Sequence, residues 1–218
     1  MRYNREKQYN YYRNLLFNYA ANGLDLSRAQ QSTAEHSRVN EIKLIQYVFG
    51  FVSLELKNVC KIKNGSDWKS LKSGSTPVYG SGGIIGYVDT CSYNKPSVLI
   101  PRKGSIEKLY YTEKPFWNVD TIFYTIIDEV LVIPKYLFYL LQKEHLEQYN
   151  TAGGVPSLTQ AVLNDIKIQI PPIEEQKRVV NILDRFDMLC NDISKGLPAE
   201  IEMRQKQYEY YRDKLLSF

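Results

Sequence analysis

EIEMRQKQYEYYRDKLLSF, residues 200–218, sets apolar or aromatic side chains at Ile201, Tyr208, Tyr211, Leu215 and Phe218. Steps of seven, three, four and three draw one narrow stripe along a helix, the seam that a partner helix fills. The chain opens on a near copy. Arg5-Glu6-Lys7-Gln8-Tyr9-Asn10-Tyr11-Tyr12-Arg13 lies over Arg204-Gln205-Lys206-Gln207-Tyr208-Glu209-Tyr210-Tyr211-Arg212 without a gap, and Leu16 then matches Leu215. A helix written at both ends of one chain is a duplication signal, and it directs attention to what lies between the copies.

Moving inward from the C-terminus, Val179, Ile182, Phe186, Leu189 and Ile193 recur at three and four residues, a second heptad-like seam. Glu174 and Glu175 sit in its first turn, where the helix dipole favours acids. Lys195-Gly196 stops this helix and Pro198 starts the next. Residues 171–218 therefore read as a helical spacer and dimerisation region. At the other end, residues 3–21 read as a helix with Tyr9, Tyr12 and Leu16 on one side, stopped by Asn22-Gly23. Residues 1–23 thus form a partial spacer helix, and the polar residues 24–43 read as a linker.

Residues 44–170 carry a different pattern. Leu44, Ile45, Tyr47, Val48, Phe49, Val52, Leu54, Leu56, Val59 and Ile62 are β-branched, aliphatic or aromatic, and predict strands from Lys43 onward. Ile84 to Val88, Ser97 to Ile100 and Thr121 to Ile127 are the clearest further strands, separated by Gly-rich turns. Pro134 opens a helix expected to run to about Tyr149. Ser157-Leu158-Thr159-Gln160 has the form of a capping box at the head of a short helix, and Ile166 to Ile170 alternates as a last strand. The fold class expected is α+β: one mixed domain of short strands with a few helices, flanked by coiled-coil-like spacer helices.

Charge is unevenly spread. Residues 57–114 hold ten Lys/Arg against four Asp/Glu, whereas residues 115–218 hold eleven against fifteen. A basic half followed by an acidic one suits a polyanion site in the first and protein contacts in the second. The three cysteines, Cys60, Cys91 and Cys190, are far apart and form no metal-binding spacing, which points to a reducing compartment. With no apolar run near the roughly 20 residues of a membrane span and no signal-peptide pattern, the expected location is cytoplasmic.

Four stretches offer binding chemistry. Gly80-Ser81-Gly82-Gly83-Ile84-Ile85-Gly86 resembles a dinucleotide loop, but a strand rather than a helix is expected after it. A hairpin tip close to another surface fits better. Pro101-Arg102-Lys103-Gly104-Ser105 follows an apolar strand, where Arg102 suits a guanine edge, Lys103 a phosphate and Ser105 a phosphate oxygen. The plainer reading is an ordinary basic turn. Gly153 to Thr159 leads into a helix head, so Ser157 and Thr159 suit a phosphate or only a cap. In Phe116-Trp117-Asn118-Val119-Asp120, Asn118 is the candidate base reader and Trp117 more naturally core. Lys72, Tyr79 and Ser81 complete the candidate DNA-binding set. No nucleophile lies beside His36 or His145, and no carboxylate or His cluster suggests a metal, so no catalytic or metal-ligating residue is assigned. The chain also lacks an Asn-Pro-Pro-Tyr-like segment for methyl transfer to a flipped base.

Together these stretches resemble the DNA-specificity (S) subunit of type I restriction–modification systems. The resemblance rests on Leu54 to Gly65 (LELKNVCKIKNG), Pro77 to Gly86 (PVYGSGGIIG), Leu99 to Ser105 (LIPRKGS), Ile170 to Val179 (IPPIEEQKRV) and Gly196 to Ile201 (GLPAEI) running into Arg204 to Arg212. It covers nearly the whole chain and is weakest in the linker.

The resemblance implies a target-recognition domain that reads half of an interrupted DNA site, with helices that set the spacing and dock methyltransferase (modification) subunits. Full-length members hold two such domains, so this chain looks like a C-terminal half or a half-sized subunit. Dimerisation through Val179, Ile182, Phe186, Leu189, Ile201, Tyr208, Tyr211 and Leu215 would restore the two-fold arrangement. The resemblance assigns S-adenosylmethionine to the modification subunit and cleavage to the restriction subunit, leaving this chain with no cofactor and no catalysis of its own. Two rivals stay open: a free-standing DNA-modifying enzyme, or a coiled-coil adaptor from a truncated gene copy that no longer binds DNA.

Overall fold

The computed structural model describes residues 10–17, 19–20, 35–150, 153–185, 187 and 206–207. The chain divides into a unit of Met1–Lys177 and a unit of Arg178–Phe218.

The first unit opens with helix at residues 10–17 and 19–20, in line with the helix expected over 3–21; the expected stop at Asn22-Gly23 lies outside the described residues. Next comes α1 (Glu35–Phe49), where the sequence pattern predicts first linker and then strand. The reason for the difference is burial. Glu41, Ile42, Ile45 and Gln46 are all buried, a spacing of three and four that puts one helical stripe inward. Of the β-branched and aromatic residues that suggest a strand, Tyr47 and Val48 are left outside, 87% and 49% exposed, while Ile45 joins the buried stripe. Gly50 ends α1 in the left-handed conformation, φ +80°, its N–H donating to Gln46 O at 2.9 Å. The N-terminal helix leans on α1: Tyr11 donates to Glu41, and the Tyr19 ring lies 5.1 Å from that of Phe49.

Strand β1 (Val52–Glu55) pairs antiparallel with β9 (Lys167–Ile170), so the domain's entry and exit are zipped together. The main sheet has the order β2-β8-β5-β6, from β2 (Cys60–Lys63), β5 (Ser97–Pro101), β6 (Tyr110–Thr112) and β8 (Ile122–Ile127). Every residue of β5 is buried, as its unbroken apolar run demands. Val98, Ile100 and Phe123 face a large core shared with Ile42 and Ile45 of α1 and with Leu137 and Leu141 of α2 (Pro134–Lys143). Leu99 and Ile122 face a smaller aromatic core around Phe116, ringed by Tyr79, Tyr93, Tyr110 and Tyr124. The polar residues in this dry sheet satisfy one another. Ser97 Oγ donates to Thr125 O at 2.8 Å, and Thr125 Oγ1 to Val98 O at 3.1 Å.

A third sheet, β4-β3-β7, comprises β3 (Ser73–Gly80), β4 (Gly83–Val88) and the short β7 (Trp117–Asn118), which runs parallel to β3. The glycine-rich stretch is thus a tight hairpin with no helix after it, which removes the dinucleotide reading. Its Gly83 has φ +118°, and the indole of Trp68 lies 2.7 Å from where a Gly86 Cβ would stand. Helix α2 begins at Pro134 as expected but ends at Lys143. His145 turns left-handed, φ 47°, and a separate 3-10 turn carries Leu146–Tyr149. The short α3 (Gln160–Asn164) is capped by Thr159, whose Oγ1 accepts from Val162 N at 3.3 Å. Ser157 is not the cap; the capping box is out of frame by two residues.

Where the domain ends, two buried glutamines converge on one carbonyl. Gln46 Nε2 donates to Ile170 O and Pro171 O, each at 3.1 Å. Gln176 Nε2 donates to Pro171 O at 2.8 Å and Leu131 O at 2.9 Å, while its Oε1 accepts from Ile133 N at 2.8 Å. Residues 173–185 are helical, as expected after Pro171-Pro172.

In the second unit, Val179 is half-buried and Ile182 is 40% exposed. Phe186, Leu189, Ile201, Tyr208, Tyr211 and Leu215 lie outside the residues whose side chains are described. Among the described residues no helix is long and apolar enough to cross a membrane.

Candidate nucleic-acid interface

Three loops far apart in the chain meet at one end of the main sheet. The first is the β3–β4 hairpin tip, Ser81-Gly82. The second, Arg102 to Ser105, leaves β5. The third, Gly153 to Thr159, leads into α3. Backbone bonds fasten them. Gly104 N donates to Pro156 O at 3.1 Å, Leu158 N to Arg102 O at 2.9 Å, and Lys103 bridges Ser157 in antiparallel register. Gly104 adopts φ +79°, and a Cβ there would lie 3.8 Å from Ser81 Oγ, so the hairpin tip abuts the basic loop. Tyr110 completes the joint by donating from its phenol to Ser81 O at 3.2 Å. Burial, and secondarily Glu107, raises that phenol's pKa.

Of the sequence-predicted residues, Ser81, Lys103, Ser105, Ser157 and Thr159 gather on this face, with Lys103 and Thr159 exposed and the three serines half-exposed. The others fall differently. Asn118 is fully buried; its Nδ2 donates to Ile122 O at 2.9 Å and its Oδ1 accepts from Ser92 Oγ at 3.0 Å. Both ends of its amide are used inside the fold, so it holds β7 to the start of β8 and reads no base. Arg102 is half-exposed and packs against the core. Its guanidinium lies 5.2 Å from the Phe123 ring centroid, and its Nε is buried without a hydrogen-bond partner. That side chain anchors the loop to the core, and the exposed cation of the pair is Lys103. Tyr79 packs on Tyr110 and Phe116, ring centroids 6.0 and 6.2 Å away, as part of the aromatic core. Lys72 is exposed but precedes β3, a full strand from the tip; eight residues at about 3.3 Å each put it roughly 25 Å away.

Two features of the face escape the sequence. Ile84 and Ile85, 50% and 48% exposed, stand on β4 beside the hairpin tip. Gln160, at the head of α3, donates from Nε2 to Asn64 Oδ1 at 3.1 Å, an amide pair spanning 96 positions. Asn64-Gly65 is legible only as a turn and Gln160 only as a capping residue. Among the described residues no group of His, Cys, Asp and Glu could hold a metal ion.

A family model described as the type I restriction modification DNA specificity domain matches residues 50–203. The chain belongs to this family. As a specificity domain it is a non-catalytic component. It is 26% identical over 222 residues to a type I specificity subunit of Mycoplasma pneumoniae, covering 98% of this chain and 85% of that one. The EcoR124I/EcoR124II specificity subunit of Escherichia coli is 46% identical over 91 residues, 40% of this chain and 22% of the relative. The fold of the specificity domain matches the crystal structure of the type I restriction–modification S subunit from M. genitalium, with TM-score 0.59 and 19% identity, over 94% of this chain and 53% of that chain. This specificity domain therefore spans about half the length of that solved subunit.

Proposed function

We propose that the chain reads one half of a bipartite double-stranded DNA site for a type I restriction–modification complex. The observation that carries this reading is the joining of the hairpin tip, the basic loop and the α3 loop into one face bearing Lys103, Ser81, Ser105, Ser157 and Thr159. Hydroxyls, a lysine and backbone amides at loop tips are the groups that hold phosphates and fix a protein's register on a duplex. Methyl transfer belongs to modification subunits that carry S-adenosylmethionine, docked on this chain, and cleavage to restriction subunits, all in the cytoplasm.

Salt titration of duplex binding tests the reading. Affinity should fall steeply with salt, and Lys103→Ala should weaken all sequences alike while reducing the slope by about 1. Salt-independent binding, or none, favours the adaptor reading; methyl transfer by the purified chain favours the free-standing enzyme.

The seam of Val179, Ile182, Phe186, Leu189, Ile201, Tyr208, Tyr211 and Leu215 supports assembly as a homodimer, because the repeated helix at each end allows a second copy to supply the missing half. Light scattering should show a dimer at micromolar concentration. Tyr208→Asp should give a folded monomer, since a carboxylate in the seam lacks a partner.

A further inference from the structure

We infer that Gln160, held in place by Asn64, is an adenine-reading side chain of the half-site. The inference rests on the DNA-recognition reading above. A single amide reads adenine by accepting from N6 and donating to N7, which requires its oxygen and one N–H on the same edge to be available together. One Nε2 hydrogen is spent on Asn64 Oδ1 at 3.1 Å, and Oε1 and the second Nε2 hydrogen carry no bond among the described residues. In this assignment Asn64 takes the hydrogen away from Oε1, which leaves the one beside Oε1 for N7.

The placement is equally specific. Gln160 is the first residue of α3, directly after the exposed cap Thr159, and half-exposed itself. Two residues earlier, Leu158 N is bonded to Arg102 O, so the amide stands at the edge of the patch that carries Lys103 and Ser157. Asn64 arrives from the end of β2, and the chain just after it is fixed by Ser66 N donating to Asn118 O at 3.0 Å. A free glutamine loses up to about 2 kcal/mol of rotamer freedom when it is ordered, and tethering by Asn64 removes part of that loss before DNA arrives. The amide is thus pre-set among groups suited to phosphate, beside a half-exposed Arg102 whose guanidinium packs on Phe123, while Asn118 is buried.

The experiment selects duplexes from a random pool with the full chain, assembled with its modification subunits, and measures binding to the selected site. Each adenine is replaced in turn by 7-deazaadenine, which lacks the N7 acceptor, or by purine, which lacks the 6-amino group. At one adenine both replacements should cost on the order of 5- to 150-fold in affinity. That penalty should vanish in Gln160→Ala, shrink in Asn64→Ala, and change in Gln160→Glu to a preference for cytosine, whose N4 donates to a carboxylate. The exposure of both side chains keeps the melting temperature near that of the unmodified chain. A selected half-site without adenine, analogues without effect, or an unchanged penalty in Gln160→Ala overturns the inference and leaves DNA recognition standing. Failure to select any duplex overturns the recognition reading itself.

Discussion

Gln176→Leu should lower the melting temperature of the chain by roughly 5–15 °C, the equivalent of about 2–5 kcal/mol for a chain of this size. Gln176 is completely buried and makes three hydrogen bonds at once. Leucine fills much the same volume, so little of the loss is packing. What it leaves behind is a half-buried Ile133 N–H and a buried Leu131 carbonyl with their glutamine partner gone, each at about 1–3 kcal/mol. Gln176→Glu should be worse at neutral pH. A carboxylate still accepts from Ile133 N, but it then faces the carbonyls of Leu131 and Pro171 with no hydrogen to offer. Gln46 shares the Pro171 carbonyl, so each single replacement leaves that oxygen one donor and the double Gln46→Leu/Gln176→Leu leaves it none. The double should therefore cost more than the sum, by about 0.5–3 kcal/mol in a double-mutant cycle. A melting temperature unmoved by Gln176→Leu would mean the two glutamines do not fasten α1 and residues 131–133 to the domain's exit.

That pin illustrates what the amino-acid sequence could and could not convey. Strands β4, β5 and β8 are legible because their patterns are local: β-branched and aromatic residues after a glycine-rich turn, an unbroken apolar run, and a run rich in Ile and Thr. The Pro134 helix start and the hairpin at Ser81-Gly82 are legible for the same reason. Helix α1 is not, because β-branched and aromatic residues at its end mimic a strand while its true signal is the weaker periodicity of Glu41, Ile42, Ile45 and Gln46. In the candidate face, Lys103, Ser105 and Ser157 can be picked out from residue type beside a strand or helix end. The burial of Asn118 and the packing of Arg102 on Phe123 cannot, since both depend on Ser92, Ile122 and Phe123 being brought alongside by the fold. Long-range pairing also hides the Asn64–Gln160 contact. Asparagine before glycine and glutamine after threonine each have a sufficient local explanation, and only the sheet register makes them neighbours.

The neighbour of that pair gives the other large effect. Gly65→Ala should destabilise the chain by about 3 kcal/mol or more and weaken DNA binding beyond the loss of folded protein. A Cβ at Gly65 would lie 2.1 Å from Val119 O and 2.4 Å from both Asn118 O and Val119 C. All three are backbone atoms, so no side chain can rotate away to make room. The chain from β2 must lift off the segment after β7, which breaks the Ser66 N to Asn118 O bond and the Trp117 Nε1 to Ser66 O bond at 3.1 Å. Asn64 is carried with it, and the amide of Gln160 loses its tether. Gly153→Ala is the matched control. No atom of the described residues lies within 4 Å of its Cβ position, so the change should be neutral or stabilise by up to about 1 kcal/mol through the unfolded chain. Melting curves separate the two variants, and binding measured below the melting transition separates lost stability from a displaced Asn64. If Gly65→Ala melts like Gly153→Ala, the close approach of the Asn64-Gly65 turn to Val119 is wrong, and with it the seating of Asn64 beside Gln160.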